Sequence, residues 1–170
     1  MVARIWSPEQ TVNTVTTGEQ SFASAALLAN GNYVIAFTDN NAGTIEIRAR
    51  LFGADGVAID NVLAGNTNDF QVNTTTVSDQ THSALAGLSG GGFVAIFQDF
   101  SASDNNIRGR VFTADGTPLG GDFPVNNSVD YSQERPNVVG LAGGGFVVVL
   151  TVNSAPGAPP GPKILARTSA

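Results

Sequence analysis

The sequence predicts an all-β fold made of three copies of one four-stranded unit, and three observations carry that reading. A hairpin is written three times, as LANGNYVIAF from Leu28, LSGGGFVAIF from Leu88 and LAGGGFVVVL from Leu141. Other residues fall into register around it: Asn13, Asn73 and Asn126 upstream, 60 and 53 residues apart, and Arg50, Arg110 and Arg167 downstream. Only 13% of residues are charged, while Gly, Asn, Thr and Val are abundant, and no amphipathic helical stretch of useful length occurs. That palette suits short strands and tight turns.

Each element of the unit follows from its pattern. The first strand is ASAALL, SALAGL or PNVVGL. A turn of Asn30-Gly31, Gly90-Gly91 or Gly143-Gly144 comes next, with residues that tolerate positive φ in a hairpin. The second strand, YVIAF, FVAIF or FVVVL, is apolar at every position, which predicts that both of its faces are covered. The third strand alternates in IEIRARLF and IRGRVF: Ile47, Ala49 and Leu51 point one way and Glu46, Arg48 and Arg50 the other, which predicts one wet face. The turns Ala54-Asp55-Gly56 and Ala114-Asp115-Gly116 then lead to a fourth strand, DFQVN or DFPVN. The units run roughly over 9–67, 68–122 and 123–170 of a single repeat domain, with residues 1–8, through Arg4 and Trp6, completing a blade.

Four-stranded repeats with a doubly buried second strand fit β-propeller-type blades. A β-trefoil and a β-prism are the alternatives. A trefoil places its apolar residues on one face of each strand, which fits the unbroken runs VIA, VAI and VVV poorly.

Composition narrows the partners. Fourteen acidic and eight basic side chains give a net charge of −6, with a single lysine, Lys163. Nucleic acid and anionic membranes reward clustered Lys and Arg, so neither is an expected partner. No apolar run approaches the ~18 residues of a membrane span. The start of the chain, MVARIWSPEQ, lacks the apolar core of a signal peptide. The absence of cysteine excludes disulfides and thiolate metal sites.

Written as L-x-x-G-G-F-V-V, then I-R-G-R-V-F-x-A-D-G-x-P-L-G, then F-x-V-N, the unit resembles a repeat family of large secreted bacterial proteins. That family often sits beside RTX-type calcium-binding repeats and is similar to sialidase-like and lectin-like propeller blades. The match is best over Leu88, Gly91, Gly92 and Phe93, then Arg108 to Phe112, Ala114-Asp115-Gly116 and Phe123 to Asn126. The resemblance implies a secreted or cell-surface module. The RTX nonapeptide G-G-x-G-x-D and the sialidase Asp-box are both absent from the chain.

Several residues are candidates for chemistry. His82 is the only histidine. A Ser-His-Asp arrangement with Ser78 or Ser83 and Asp79 would draw on adjacent residues of one loop, which rarely make a triad. A glycosidase needs two opposed carboxylates, and Asp79, Asp99, Asp104 and Glu134 sit in no recognisable motif. The loops TDNNAGT at 38–44 and QDFSASDNN at 98–106 carry the oxygens that calcium takes, so Asp39, Asp99 and Asp104 are candidate calcium ligands, with no other cofactor expected. Gln20, Gln80 and Gln133 end the segment that would reach a ligand face in a propeller, and their amides suit sugar hydroxyls. Asn13, Asn73 and Asn126 read instead as ties between strand ends. Arg50 and Arg110 recur at one strand position; fucose-type propeller lectins grip their sugar with an arginine, an acid and an aromatic, but here the arginine comes without a fixed acidic partner. Phe52 and Phe112 offer faces on which a sugar could stack, and read first as aromatics packed between blades.

The expectation is therefore a noncatalytic, lectin-like carbohydrate-binding module. The alternatives are a structural or oligomerising module without a small ligand, and a glycoside hydrolase. Self-association is also expected: the N-terminal strands of one chain would finish the last blade of another, and a homodimer would close a ring of six blades.

Overall fold

The computed structural model describes residues 9–41, 43–61, 68–102, 104–127, 131–153 and 163–169. Trp6, the expected strand from Val2 to Trp6 and most of the loop from Asn153 to Pro162 lie outside them. The described residues form eleven strands and no helix. No helix is therefore long and apolar enough to cross a membrane among them.

The strands make three antiparallel sheets, and a folded unit is one such sheet with the chain that closes it, so that β4 and β8 carry the ends of the first two units past residues 67 and 122. Sheet I holds β1 (Gln20–Leu27), β2 (Tyr33–Asp39), β3 (Glu46–Phe52) and β4 (Phe70–Gln71). Sheet II holds β5 (Gln80–Gly87), β6 (Phe93–Asp99), β7 (Asn106–Phe112) and β8 (Phe123–Pro124). Sheet III holds β9 (Gln133–Gly140), β10 (Phe146–Val152) and β11 (Lys163–Thr168). Each strand pairs only with its neighbours along the chain. The fourth strands shrink to two residues, and among the described residues sheet III has three strands, its unit lacking the fourth that an N-terminal strand of another chain was expected to supply.

The hairpin turns form as the sequence predicts. Leu28, Leu88 and Leu141 each accept from the amide of Gly31, Gly91 or Gly144, and those three glycines carry φ of 84°, 101° and 97°. An L side chain is disfavoured there, which explains why the turn repeats.

The sheets stack in chain order, and sheet II lies between the other two. Alternation along β6 makes this possible. Phe93, Ala95 and Phe97 join Leu85 and Phe112 in packing against Val34, Ala36, Ile47, Ala49 and Leu51 of sheet I. Val94 and Ile96, with Ala86 and Ile107, face Val138, Phe146, Val148 and Leu150 of sheet III. Every residue of β6 is consequently buried, as the unbroken apolar run requires. The third strand departs from expectation. Ile47, Ala49 and Leu51 are fully buried, but Arg48 and Arg50 are half-buried instead of wet.

At both junctions backbone also meets backbone. A Cβ added at Gly87 would lie 2.0 Å from the carbonyl oxygen of Leu27, and one added at Gly140 would lie 2.1 Å from that of Gly87. Both glycines end the first strand of their unit, so one glycine per junction sets the spacing. Gly87→Ala and Gly140→Ala must push two backbones apart. Each should cost ~3 kcal/mol, the upper end of the usual overpacking penalty. Denaturant titration will show it, and a loss below ~1 kcal/mol would mean that the sheets are looser than described.

Candidate functional site

The polar residues singled out in the sequence meet at the junctions between units. Asn73 is buried at the end of the first unit. Its Oδ1 accepts from the amide of Ile47 (2.9 Å). Its Nδ2 donates to Thr75 O (2.7 Å), Gln80 Oε1 (3.1 Å) and Glu46 Oε2. Gln80 is fully buried as the first residue of β5. It donates to Val77 O (3.2 Å) and Asp99 Oδ1 (3.0 Å). The next junction repeats the clasp: Asn126 accepts from the amide of Ile107 (2.8 Å) and donates to Gln133 Oε1 (3.0 Å). Gln133 is only 1% exposed. In the first unit Asn13 donates to Gln20 Oε1 (3.3 Å), and Gln20 to Asp39 Oδ1 (2.9 Å).

These glutamines thus open the first strands and do not tip a loop; Gln80 is fully buried, and Gln133 lies almost wholly buried at the wall of a groove. Sequence reading placed them beyond the strand because the Thr, Ser and Asp residues around them resemble loop composition.

The recurring arginines have a similar task. Arg50 donates to Val12 O (2.8 Å), Arg110 to Val72 O (2.8 Å) and Arg167 to Val125 O. Each guanidinium reaches back to the segment that closes the preceding unit. Arg50 and Arg110 also lie over the rings of Phe52 and Phe112 at 5.5 and 5.2 Å, a geometry that favours a cation on the aromatic face.

Two of the candidate calcium ligands, Asp39 and Asp99, are buried. Asp39 lies 3.8 Å from Arg48, and Asp99 3.8 Å from Arg108. Asp99 also accepts from the amide (3.1 Å) and hydroxyl (2.8 Å) of Ser101. Asp104 contributes its backbone carbonyl to Asn106. The structure does not bring the three side chains together, and among the described residues no group of three or more His, Cys, Asp or Glu side chains converges.

Sequence reading missed the acids of the DF motifs. Asp69 accepts from the amide (2.6 Å) and hydroxyl (2.7 Å) of Thr14 and from Arg48 Nε (2.6 Å). Burial alone would raise its pKa, but the bonds from Thr14 and Arg48 outweigh it and hold the carboxyl below its ordinary value. Asp122 takes the equivalent amides, Thr74 (2.8 Å) and Thr75 (3.0 Å). Its other oxygen and Arg108 Nε are buried without a hydrogen bond, although their counterparts in the first unit meet. The signal was present: D-F-x-V-N and I-R-x-R occur in both units.

A second constellation lies along the first strands, each of which carries a bulge. Phe22, His82 and Arg135 occupy the same place in three units and share positive φ values of 50°, 51° and 53°. The Phe22 and His82 rings lie 3.9 Å apart. Burial and the positive charge of Arg135 lower the His82 pKa, against the pull of Glu134. Thr81 Oγ1 is the hydrogen-bond neighbour of His82 Nδ1 (3.2 Å). Asp79 accepts from the amide of Ile45, and Ser83 meets Ser24, so the structure assembles no triad around His82.

The third unit breaks the polar pattern. Val152 and Leu165 stand where Asp39 and Arg48, or Asp99 and Arg108, stand in the others. A groove of about 420 Å³ results, lined by Leu150, Val152 and Leu165 beside Asn126, Tyr131 and Gln133, with no carboxylate on its walls. At the first junction a more polar groove of about 510 Å³ is lined by Arg48, Asp69, Gln71, Thr74, Thr76 and Arg110 among others.

No protein-family model, curated protein or solved structure matches the chain.

Two outcomes follow from this geometry. Asn73→Ala strands the buried amide of Ile47 and the Gln80 carbonyl, and should cost ~3 kcal/mol. Asn13→Ala, where the bonds go to Val15 and Gln20 only, should cost ~1 kcal/mol. Equal losses in chemical denaturation would show that the clasp does not join units. For His82, a depressed native pKa means that the unfolded chain binds the proton first. Its contribution is therefore complete above about pH 6.5 and is lost progressively as pH falls from there through the lower native value. The melting temperature should drop less between pH 7.5 and 5.5 in His82→Asn than in the wild type. Identical drops would assign the acid sensitivity to the carboxylates.

Proposed function

We propose that this chain is a noncatalytic structural module, a short run of stacked propeller-type blades whose recurring polar residues fasten one blade to the next. The observation that carries this reading is the fate of Gln80, Gln133, Arg50 and Arg110. Each is spent on a partner within the chain, and two of them are buried. A ligand site repeated between units would leave such groups open to solvent. The sheet order supports blades over a trefoil or prism, because each unit pairs its strands only among themselves and stacks face to face on the next.

A carbohydrate-binding reading draws on a different place, the polar groove at the first junction. Gln71, Thr74 and Thr76 line it beside Arg110, and such neutral amide and hydroxyl groups match sugar hydroxyls. Secretion or surface display accords with either reading. A thermal-shift screen against a broad glycan set, with and without calcium, separates the two. The structural reading expects no shift from any glycan or from chelation, since a ligand bound only to the native state raises the melting temperature by mass action. A saturable glycan shift abolished by Gln71→Ala would establish the carbohydrate reading instead.

A further inference from the structure

The two junctions between sheets are built alike. On one side stand small aliphatic residues, Val34, Ala36 and Ile47 in sheet I or Val94, Ile96 and Ile107 in sheet II. On the other stand an aromatic and its neighbours, Phe93 or Phe146, together with a glycine whose missing Cβ admits a carbonyl of the preceding sheet. The outer face of sheet III repeats the aliphatic half. Strand register puts Val147, Val149 and Ile164 where Val94, Ile96 and Ile107 stand in sheet II. Yet Ile164 is 72% exposed and Val139 57%, whereas Ile47 and Ile107 are fully buried.

Sheet I differs at the other half of the junction. The position of Gly87 and Gly140 is held there by Leu27, as the pairings Leu27 with Tyr33, Gly87 with Phe93 and Gly140 with Phe146 establish. Leu27 is 71% exposed. Stacked in the same geometry on sheet III of another copy, its Cβ would fall about as close to the Gly140 carbonyl as the 2.0 and 2.1 Å found for a Cβ at Gly87 and Gly140. Real Cβ atoms do not approach an oxygen so closely. The same collision meets any sheet placed on that side of sheet I in this geometry.

We propose that the outer face of sheet III docks a partner blade of this same repeat type, one whose first strand ends in glycine, and that Leu27 bars this chain's own sheet I from that role. The inference rests on the reading of the chain as a stacking module and adds its direction: stacking is open after sheet III and closed before sheet I. The partner chemistry follows from continuity with the two existing junctions, an aromatic beside a glycine against an aliphatic sheet. A ring closed by two copies, as the sequence suggested, would need the barred contact at both seams.

The test turns the barred contact on. The full chain should sediment as a 17.4 kDa monomer across roughly micromolar to millimolar concentration, where a specific blade contact would register. Leu27→Gly should associate end to end with rising concentration. Leu27→Ala, which keeps the Cβ, should not. Ile164→Lys added to Leu27→Gly should return the monomer. Excess wild type should shorten Leu27→Gly assemblies, since it offers the sheet III face and lacks the complementary one. Leu27 is exposed, so these variants are expected to keep the fold, and circular dichroism with a single melting transition confirms it for each. A folded Leu27→Gly that stays monomeric overturns the docking inference while leaving the stacking reading intact. Association of the wild type, or of Leu27→Ala to the same extent, overturns it too. A wild type that melts in separate steps for separate sheets would instead count against the stacking reading itself.

Discussion

One asparagine per junction holds the sheets to one another, Asn73 at the first, where it is buried, and the half-buried Asn126 at the second. Asn73 receives the amide of Ile47 from the third strand of its own unit and gives protons to Gln80, the first residue of the next. Sheet pairing by itself satisfies the backbone within a unit and says nothing about where the next unit sits. Hydrophobic burial draws the faces together but is not directional. The asparagine supplies the direction, because its amide must meet a donor and an acceptor from different units at once. Buried, it cannot exchange those partners for water without cost, so the register between units becomes fixed along with the register within them.

The arginines and the DF aspartates build on that clasp from outside. Arg110 takes the carbonyl of Val72, immediately before Asn73, while Asp122 takes the amides of Thr74 and Thr75, immediately after it. A cation holds the chain on one side of the asparagine and an anion on the other, both supplied by the following unit. In the third unit the pattern is kept only in part. Arg167 still reaches Val125, but Val152 and Leu165 replace the acid and the other arginine, and an apolar groove opens where the ion pair would be.

Much of this architecture was legible in the sequence for simple reasons. The apolar run of β6 has no wet position, so a sheet covered on both sides was the only economical reading. The Gly31, Gly91 and Gly144 turns announced themselves because positive φ narrows the choice of residue. The asparagine ties were readable as well, since Asn at a strand end has few other employments. Other features were hidden. Gln80 and Gln133 look like loop residues because a short polar side chain and a fully bonded buried one are spelled the same way. The bulge at Phe22, His82 and Arg135 was invisible because three unrelated side chains occupy one strained backbone position. Gly87 and Gly140 read as ordinary strand glycines, since nothing local to the chain records a carbonyl arriving from another unit.

The position of sheet II between two neighbours has a consequence for how the molecule breathes. In a linear stack, each sheet is held by the interfaces it shares, so the middle one is held twice and the outer ones once. Amide protons along β6 lie in the part of the molecule that opens last, and those of β1 and β11 in the parts that open first. Protection against exchange therefore forms a peak at the centre of the chain and declines toward both ends. These local openings run from the flanks inward beneath one cooperative melting transition, and the hairpin around Gly91 is the last to exchange.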